Sequence, residues 1–520
     1  MLLLLAAVVV LELAARRLRL PPAAAFVLGG LALALTPGTP DVALDPDLVL
    51  VLFLPPLLVS SAWFTPWRDF RANLRIILQL AVGAVAFTTL VVGVAAHLAA
   101  PGLPWAACFA LGAIVSPPDA VAAKAVLAGV RLPPRVVVLL EGESLVNDAT
   151  GIVLFRLAVA AAMTGAFSWW GALGSFAVLS VGGIVAGLAF GAISSVLLAR
   201  LRDPNLAIIA SLLIAWASYI AAEAAGVSGV LSCVACGLLG GWRQHSTLTA
   251  TARNELGAVW SAVVFIMESL VFILIGLSLR GVLDRIGDAG GIGPLLLPIG
   301  IILGAVVLSR FAWMFPATYL PRLLVPSLRR RDPMPPLAVP VIMSWAGMRG
   351  VVSLAIALAL PAAFPGRDFI QAATFAVILM TVLVQGATLG PLIRLLRLER
   401  FALASSKTLT EAAARAAVAK VQLAAVQARS ALPGGGQRHP RLLEQYAYRA
   451  GAAARFSEAA GGLDGDRAEH FGAILSAVAA GRTEVLRLHR TGKIHDRVLI
   501  ALEQELDAEE LWAQRHRAED

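Results

Sequence analysis

Long apolar blocks dominate the chain from Met1 to about Arg400. Each block runs for roughly 18–30 residues, which is enough for an α-helix to cross the hydrocarbon core of a bilayer. Apolar and polar residues do not alternate within the blocks, as they would in the strands of a membrane barrel. Charged residues make up only 14% of the sequence, against about 25% in a soluble domain. The sequence therefore predicts an all-α polytopic membrane protein.

We place thirteen membrane-spanning helices in this part of the chain and number them as spans 1 to 13. They cover residues 1–15, 21–36, 47–63, 74–98, 103–129, 134–163, 171–200, 204–222, 226–242, 254–280, 293–322, 336–362 and 368–396. Arginines concentrate in the loops after odd-numbered spans, whereas loops after even-numbered spans contain only Arg280, Arg285 and Arg367. Because basic loops stay in the cytoplasm, we expect the N-terminus outside and the C-terminus inside.

The composition changes after residue 400, where the chain becomes rich in Ala, Arg and Glu. We therefore expect a transmembrane domain over 1–400 and a cytoplasmic helical domain over 401–520. Helical stretches are predicted near 406–431, 441–461, 467–490 and 496–516, with glycine-rich breaks between them. The role of this tail, whether regulatory, assembly or passive, stays open.

No cofactor is expected from the sequence. Cys233 and Cys236 form a CxxC pair, but no second pair or histidine follows at metal-site spacing. The net charge of +9 resides in short loops between apolar blocks, so membrane orientation explains it and nucleic acid is not an expected partner.

Two spans are interrupted beside a charge. Span 5 contains Ser116-Pro117-Pro118-Asp119, and span 12 contains Gly347-Met348-Arg349-Gly350. Prolines lack an N–H, so nearby carbonyls lose their helical partners. Free carbonyls at membrane depth occur only where they are buried in protein or line a cavity. We expect these carbonyls, those of Ala113 and Ile114, to act as cation ligands.

The two broken spans lie seven apart, so they cross the membrane in opposite directions. Spans 1–6 and 8–13 can then be paired as an inverted six-helix repeat. Broken segments at matching places in two halves are typical of a transporter's binding site. Asp119 would begin the second half of span 5, where the helix dipole favours a carboxylate.

Span 6 carries several polar residues at membrane depth. Ser144 and Asp148 share one face of this helix, and Glu143 and Asn147 share the adjoining face. Asp148, Ser144 and Asp119 would together form an oxygen site for a small cation, and a desolvated carboxylate also binds a proton. Competition of the two ions for one site predicts exchange.

Arg349 also lies at membrane depth and needs a negatively charged partner. Glu143 is the candidate, and the pair would hold span 12 against span 6 without binding the ion. Arg156 and Arg310 are expected to be buried pair members as well, rather than ligands.

At these residues the sequence resembles the monovalent cation:proton antiporters, specifically the Na⁺/H⁺ exchanger branch with bacterial NhaP-like proteins and animal exchangers. The matching stretches are LPPLLVSSAW at 54–63, SPPDAVA at 116–122, EGESLVNDATGIVLF at 141–155 and MSWAGMRGVVSLAIALALP at 343–361. The resemblance covers roughly residues 1–400.

The resemblance implies roles for individual residues. Asp148 matches the essential ion-carrying aspartate, and Ser144 and Asp119 match the neighbours that coordinate Na⁺. Asn147 stands where electrogenic relatives have a second aspartate, which implies electroneutral one-for-one exchange. Thr150 follows in the same motif as an accessory position.

The resemblance also implies a Glu143–Arg349 structural ion pair. It further implies a homodimer with elevator-type alternating access in a lipid bilayer, here a bacterial inner membrane.

Two departures from the family pattern affect the expected site. Ser60 stands where many members have a glutamate, and Pro118 where many have a threonine. Glu268 resembles the membrane glutamate of animal exchangers, and it either lines the cytoplasmic funnel or pairs with an arginine such as Arg310.

The sequence thus favours a transporter rather than an enzyme. It does not separate Na⁺/H⁺ from K⁺/H⁺ or Li⁺/H⁺ exchange. A cation channel is an alternative, but a channel does not need a titratable ion site. An intramembrane aspartyl protease would also use two aspartates, but it needs neither paired broken helices nor an arginine partner.

Overall fold

The computed structural model describes most of the chain. The described residues are 2–18, 20–36, 46–119, 132–165, 168–288, 293–396, 411–431, 437–458, 464–491, 493 and 496–517. They form two compact units, Met1–Ala404 and Ser405–Asp520. The division lies close to the boundary predicted from composition.

The described part of the first unit consists mainly of helices. In chain order these are α1 (Leu2–Leu18), α2 (Pro22–Leu35), α3 (Pro46–Phe64), α4 (Trp67–Leu78), α5 (Val85–Ala99), α6 (Trp105–Val115), α7 (Pro134–Thr164), α8 (Trp169–Arg200), α9 (Pro204–Ala224), α10 (Gly229–Thr247), α11 (Ala250–Asp288), α12 (Gly293–Leu324), α13 (Pro326–Arg331), α14 (Ala338–Trp345), α15 (Val351–Leu358), α16 (Arg367–Met380) and α17 (Gly386–Leu396). Two π-helical turns, Gln79–Ala84 and Thr381–Gln385, join α4 to α5 and α16 to α17.

Seven helices within the described residues are long and apolar enough to cross a membrane. They are Trp67–Ala99, Pro134–Thr164, Trp170–Arg200, Pro204–Ala224, Ala250–Ser278, Gly293–Leu324 and Arg367–Leu396. Shorter apolar helices cover Pro22–Leu35, Leu48–Phe64 and Trp105–Val115. The prediction of a multi-pass helical membrane protein is confirmed. The count of thirteen spans and the inverted repeat stay predictions.

Both predicted breaks are visible in the backbone. Helix α6 ends at Val115, and residues 116–119 are not helical. The second half of span 5, which Asp119 was predicted to begin, lies outside the described residues. In span 12, α14 ends at Trp345 and α15 begins at Val351, so the stretch around Gly347 and Gly350 interrupts the helix as the sequence predicts.

A ridge of glycines joins α8 to α10. An added Cβ at Gly183 would overlap the Ser228 carbonyl oxygen, and one at Gly187 would overlap that of Ser232. Gly191 continues the ridge against Leu239, again at a spacing of four residues. Small residues at this spacing let two helix backbones approach closely, which is a common way to pack helices in lipid.

The loop before α14 is fixed by a charged network. The Arg135 guanidinium donates to the two carboxylate oxygens of Asp332 at 2.6 and 2.8 Å, and Arg322 donates to one of them at 2.7 Å. Burial alone would raise the pKa of Asp332, but the hydrogen bonds and positive charges of these arginines lower it below its ordinary value. The network ties the start of α7 to the loop that leads into the broken span.

The second unit contains four helices, α18 (Glu411–Ser430), α19 (Pro440–Glu458), α20 (Asp464–Arg490) and α21 (Asp496–Arg517). Phe471 of α20 packs edge-to-face on Trp512 of α21, with ring centroids 5.6 Å apart. Arg482 forms ion pairs with Asp507 at 2.7 Å and Glu510 at 2.5 Å. These pairs are partly exposed and therefore contribute little stability, whereas Phe471 is buried and Trp512 covers it from the side.

The glycine ridge predicts opposite effects for two alanine substitutions in α8. Gly187→Ala places a methyl group against the Ser232 carbonyl oxygen, so we expect a destabilisation of about 1–3 kcal/mol. Gly174→Ala meets nothing within 4 Å and should stabilise the helix by up to about 1 kcal/mol. Thermal melts of the purified variants in detergent measure both effects, and equal melting temperatures would contradict close packing at Gly187.

Candidate ion-binding site

The two chain breaks satisfy each other's backbone groups. The Asp119 N–H donates to the Met348 carbonyl oxygen at 2.7 Å. In return, Nε of Arg349 donates to the Val115 carbonyl oxygen at 2.6 Å. The Arg349 N–H donates to the Thr381 hydroxyl at 3.1 Å, at the π-helical turn before α17. Backbone groups that leave a helix at membrane depth need such partners, so the crossing is a single hydrogen-bonded unit.

A glycine makes room for Asp119 at this crossing. A Cβ added at Gly350 would overlap the Asp119 carboxylate and lie 2.9 Å from the Asp119 Cβ. Asp119 therefore lies directly against the backbone of the other break. The backbone conformation of Gly350 is not the reason for the glycine, since its φ of −145° is open to any residue. The need for space is the reason.

A cavity of about 100 Å³ opens beside the crossing. Its polar lining comes from Ser60, Ser61, Asp119, Glu141, Ser144, Asp148 and Glu268. Apolar side chains of α3, α11 and α15, such as Leu57, Val264 and Val351, complete its wall. The volume corresponds to about three water molecules at roughly 30 Å³ each, which suits a small cation that keeps part of its hydration.

Helix α7 supplies three of the polar side chains that line this cavity. Asp148 is 8% exposed, and Ser144 precedes it by one turn on the same face. Glu141 also lines the cavity, a role that we did not predict. The signal was present in the sequence, because positions i, i+3 and i+7 lie on one face of a helix. Ser60 and Glu268 line the cavity too, and Arg310 forms an ion pair with Glu143.

Asn147 lies behind this face and holds the first break. Its Nδ2 donates to the Pro118 carbonyl oxygen at 2.6 Å, and its side chain is fully buried. It is not among the cavity-lining residues. The amide therefore positions the break that carries Asp119, while its Oδ1 has no hydrogen-bond partner in the described part of the chain. A role for Asn147 at the ion site stays a prediction.

The carbonyls of the first break are largely occupied by protein donors. The Ser116 hydroxyl donates to the Ala113 carbonyl oxygen at 3.2 Å, and the carbonyls of Val115 and Pro118 accept from Arg349 and Asn147. The expectation that prolines leave open carbonyls for a cation is therefore wrong for Ala113. The hydroxyl of Ser116 and the side chains of Asn147 and Arg349 donate in place of the missing N–H groups. The proline positions alone do not predict these donors.

Three predicted site residues pack around the break instead of lining the cavity. Ser116 accepts a hydrogen bond from the Thr89 hydroxyl at 3.1 Å. Pro117 fills the space left by Gly151, where a Cβ would overlap its ring. The Thr150 hydroxyl lies 3.5 Å from the Val146 carbonyl oxygen of its own helix. These residues stabilise the packing of α7 against the break, and none of them is among the residues that line the cavity.

The predicted Glu143–Arg349 ion pair is wrong. Arg310 of α12 forms a bidentate pair with Glu143, and its Nη2 lies 3.2 Å from Oε2. Arg349 turns instead to the carbonyls of Val115 and Gly347. Gly347 separates the two guanidinium groups, and a Cβ there would lie 2.7 Å from Nε of Arg310 and 3.1 Å from Nη1 of Arg349.

The other predicted arginine pair is only partly buried. Arg156 donates to a carboxylate oxygen of Glu223 at 3.0 Å, but its side chain is about half exposed. Arg310 alone is therefore the buried pair member that was expected.

Residues 3–395 match the family model described as sodium/hydrogen exchanger, transmembrane. The chain belongs to this family. An uncharacterised Na⁺/H⁺ exchanger of Mycobacterium tuberculosis is 36% identical to this chain over 403 residues. The match covers 76% of this chain and 74% of that protein. The uncharacterised Na⁺/H⁺ exchanger YjcE of Escherichia coli is 34% identical over 411 residues, or 74% of this chain and 73% of that protein.

A third relative is named a sodium, potassium, lithium and rubidium/H⁺ antiporter, from Bacillus pumilus. It is 34% identical to the exchanger over 380 residues, or 69% of this chain and 56% of that protein. Among solved structures, the sodium proton antiporter MjNhaP1 of Methanocaldococcus jannaschii superposes with a TM-score of 0.58. It is 20% identical and covers 75% of this chain and 96% of its own, so it supports the fold.

The family resemblance stated from the motifs is confirmed by these matches. The exchanger is a multi-pass membrane transporter that performs cation/proton antiport. The cavity beside Asp148 is the candidate for its ion site.

The contact between Asp119 and Gly350 predicts a sensitive position. In Gly350→Ala the methyl group displaces the Asp119 carboxylate, so we expect cation-driven proton release to fall by about tenfold or more, because small displacements of reacting groups are costly. Gly386→Ala is the matched control, since its Cβ would lie 3.4 Å from Sδ of Met348. Initial rates in everted vesicles with a pH-sensitive dye, scaled to the amount of exchanger, test this. Equal rates for the two variants would show that Asp119 is not constrained by Gly350.

Proposed function

We propose that the exchanger exchanges Na⁺ for H⁺, one for one, and that both ions compete for Asp148. The observation that carries this proposal is the convergence of Asp148, Asp119 and Ser144 on one small buried cavity. Two carboxylates and a hydroxyl form an oxygen ligand set of the kind that hard cations prefer.

Burial supplies the reason for competition. A carboxylate that is nearly removed from water is costly to leave charged without a partner. Asp148 therefore holds either the cation or a proton, and the arrival of one ion favours release of the other. The lining of Val264, Val351 and Leu57 keeps bulk water from compensating the charge.

Asn147 supports an electroneutral cycle. Its amide is neutral and is engaged with the Pro118 carbonyl, so it cannot carry a second proton at the position beside Asp148. The cycle then moves one positive charge in each direction. Glu141 and Glu268 also line the cavity, and we propose that they attract cations to its entrance without releasing protons in the cycle.

The hydrogen-bonded crossing supports elevator-type movement. Helices α6, α7, α14 and α15 are connected through Asp119, Asn147 and Arg349, so we propose that they move together and carry the cavity across the membrane. We propose a homodimer in a bacterial inner membrane, with the N-terminus outside and the C-terminal domain in the cytoplasm. Membrane lipid is the surrounding partner.

K⁺/H⁺ exchange, or exchange of several alkali cations including Li⁺, is a second candidate. The cavity has Ser60 where many family members have a glutamate, and the Bacillus pumilus relative is named for sodium, potassium, lithium and rubidium. A hydroxyl in place of a carboxylate lowers the charge density of the site, which relaxes selection for the smallest cations.

The central role of Asp148 predicts loss of transport when its charge is removed. In everted vesicles that contain a pH-sensitive dye, addition of Na⁺, Li⁺ or K⁺ should release protons with the wild type and not with Asp148→Asn. The matched control is Asp69→Asn, which removes an exposed carboxylate at the start of α4. Normal transport by Asp148→Asn would refute the proposed mechanism, and comparison of the three cations orders their selectivity.

One-for-one exchange predicts that the initial rate does not depend on membrane potential. Proteoliposomes with equal K⁺ on both sides are driven by a Na⁺ gradient, with and without valinomycin. Collapse of the potential should leave the initial rate of proton movement unchanged. A clear rise in rate with valinomycin would show net charge movement and would reject the electroneutral cycle.

A further inference from the structure

A second cavity shares no lining residue with the candidate ion site. It is an open groove of about 750 Å³ between the last turns of α8 and α10. Arg200, Arg243 and His245 line it, together with Trp242 and Val196. Proton and cation exchange do not require this groove, so its chemistry calls for a separate explanation.

The packing of α8 on α10 accounts for the position of the groove. The glycine ridge brings the two helices close along Gly183, Gly187 and Gly191. The next two positions at the same spacing are Ser195 and Ala199, and both line the groove. The groove therefore begins where the glycine ridge stops, at the ends of two membrane helices.

The charge of the groove is uncompensated within the part of the chain that the structure describes. Neither Arg200 nor Arg243 forms an ion pair there, whereas Arg135 at the start of α7 pairs with Asp332. No carboxylate is among the residues that line the groove. A positive side chain at a helix C-terminus interacts favourably with the helix dipole. This interaction does not explain why two arginines from different helices line the same cavity.

The remaining lining matches the boundary between water and lipid. Trp242 is 57% exposed and Val196 is 50% exposed, and tryptophan is enriched at the level of lipid headgroups. Helix α8 has the smallest buried share among the seven long apolar helices of the described residues, at 17%. The apolar side chains Val196 and Trp242 lie beside the basic side chains Arg200 and Arg243. This arrangement matches an acyl chain joined to a negatively charged headgroup.

We propose that this groove binds the phosphate headgroup of an anionic phospholipid. Arg200 and Arg243 hold the phosphate, and the acyl chains lie along the exposed face of α8 at Val196. Basic pockets between membrane helices on the cytoplasmic side recognise anionic lipids by this chemistry. The site lies at the end of α8 and α10 that we expect to face the cytoplasm, and it is independent of the proposed ion selectivity.

The test uses the full-length exchanger in detergent, with bound lipid counted by native mass spectrometry. Phosphatidylglycerol should bind in preference to phosphatidylcholine. The double variant Arg200→Gln/Arg243→Gln should bind phosphatidylglycerol about 30-fold more weakly, since each basic side chain contributes roughly a factor of five. Arg200→Lys/Arg243→Lys keeps the charge and should retain most of the preference.

The matched control is Arg68→Gln/Arg71→Gln, which removes two exposed arginines at the start of α4 and should leave binding unchanged. An equal loss in this control would overturn the proposal in favour of a diffuse charge effect. An unchanged preference in Arg200→Gln/Arg243→Gln would overturn it as well. A final measurement adds inorganic phosphate to the exchanger with bound phosphatidylglycerol. If phosphate displaces phosphatidylglycerol at equal concentration, the groove is a site for free anions and not for lipid.

Discussion

Inside a bilayer a backbone group that leaves a helix must find a partner within the protein, and the exchanger has two such breaks in its membrane unit. Each break supplies a hydrogen-bond partner for the other. The Asp119 N–H donates to the Met348 carbonyl oxygen, and the Arg349 side chain donates to the Val115 carbonyl oxygen. The carboxylate of Asp119, which lines the candidate ion cavity, is thus placed by the same contact that makes the breaks tolerable. Asp119 lies within a break, whereas Ser144 and Asp148 reach the cavity from α7.

Buried charge is distributed around this crossing in a definite way. Glu143 and Arg310 neutralise each other, while Arg349 is completely buried and is bonded to carbonyl oxygens alone. One positive charge therefore remains beside a cavity that carries Asp119 and Asp148. An isolated buried cation would be costly, and the carbonyl oxygens of Val115 and Gly347 that accept from Arg349 offset part of that cost.

The sequence predicts the parts of the exchanger that depend on local chemistry. Apolar block length indicates the membrane helices, prolines and glycines mark the breaks, and helical spacing places Ser144 and Asp148 together. The same spacing would have identified Glu141. What it cannot supply is the pairing of distant residues. The partner of Glu143 is Arg310 rather than Arg349 because α12 passes α7 at that height, and no periodicity within either helix contains this information.

A similar limit applies to the polar partners of the broken span. Prolines indicate that carbonyls lose their helical donors. Ser116 supplies one replacement locally, but Asn147 and Arg349 supply the others from distant parts of the chain. The Thr381 hydroxyl, which lies in a π-helical turn, accepts a hydrogen bond from the Arg349 N–H. The sequence contains no pattern that predicts this turn. The fold class was accessible from composition, and the fine structure of the site was not.

The burial of the Glu143–Arg310 pair has a consequence for the conditions in which the exchanger works. Dissolved salt weakens attraction between charges that it can surround, with a screening length of about 10 Å at 0.1 M. The side chains of this pair are 1% and 3% exposed, so bulk ions do not reach them. A transporter whose own substrate is salt thereby keeps its framework insensitive to the concentration of that substrate, while the ion cavity stays free to respond to it.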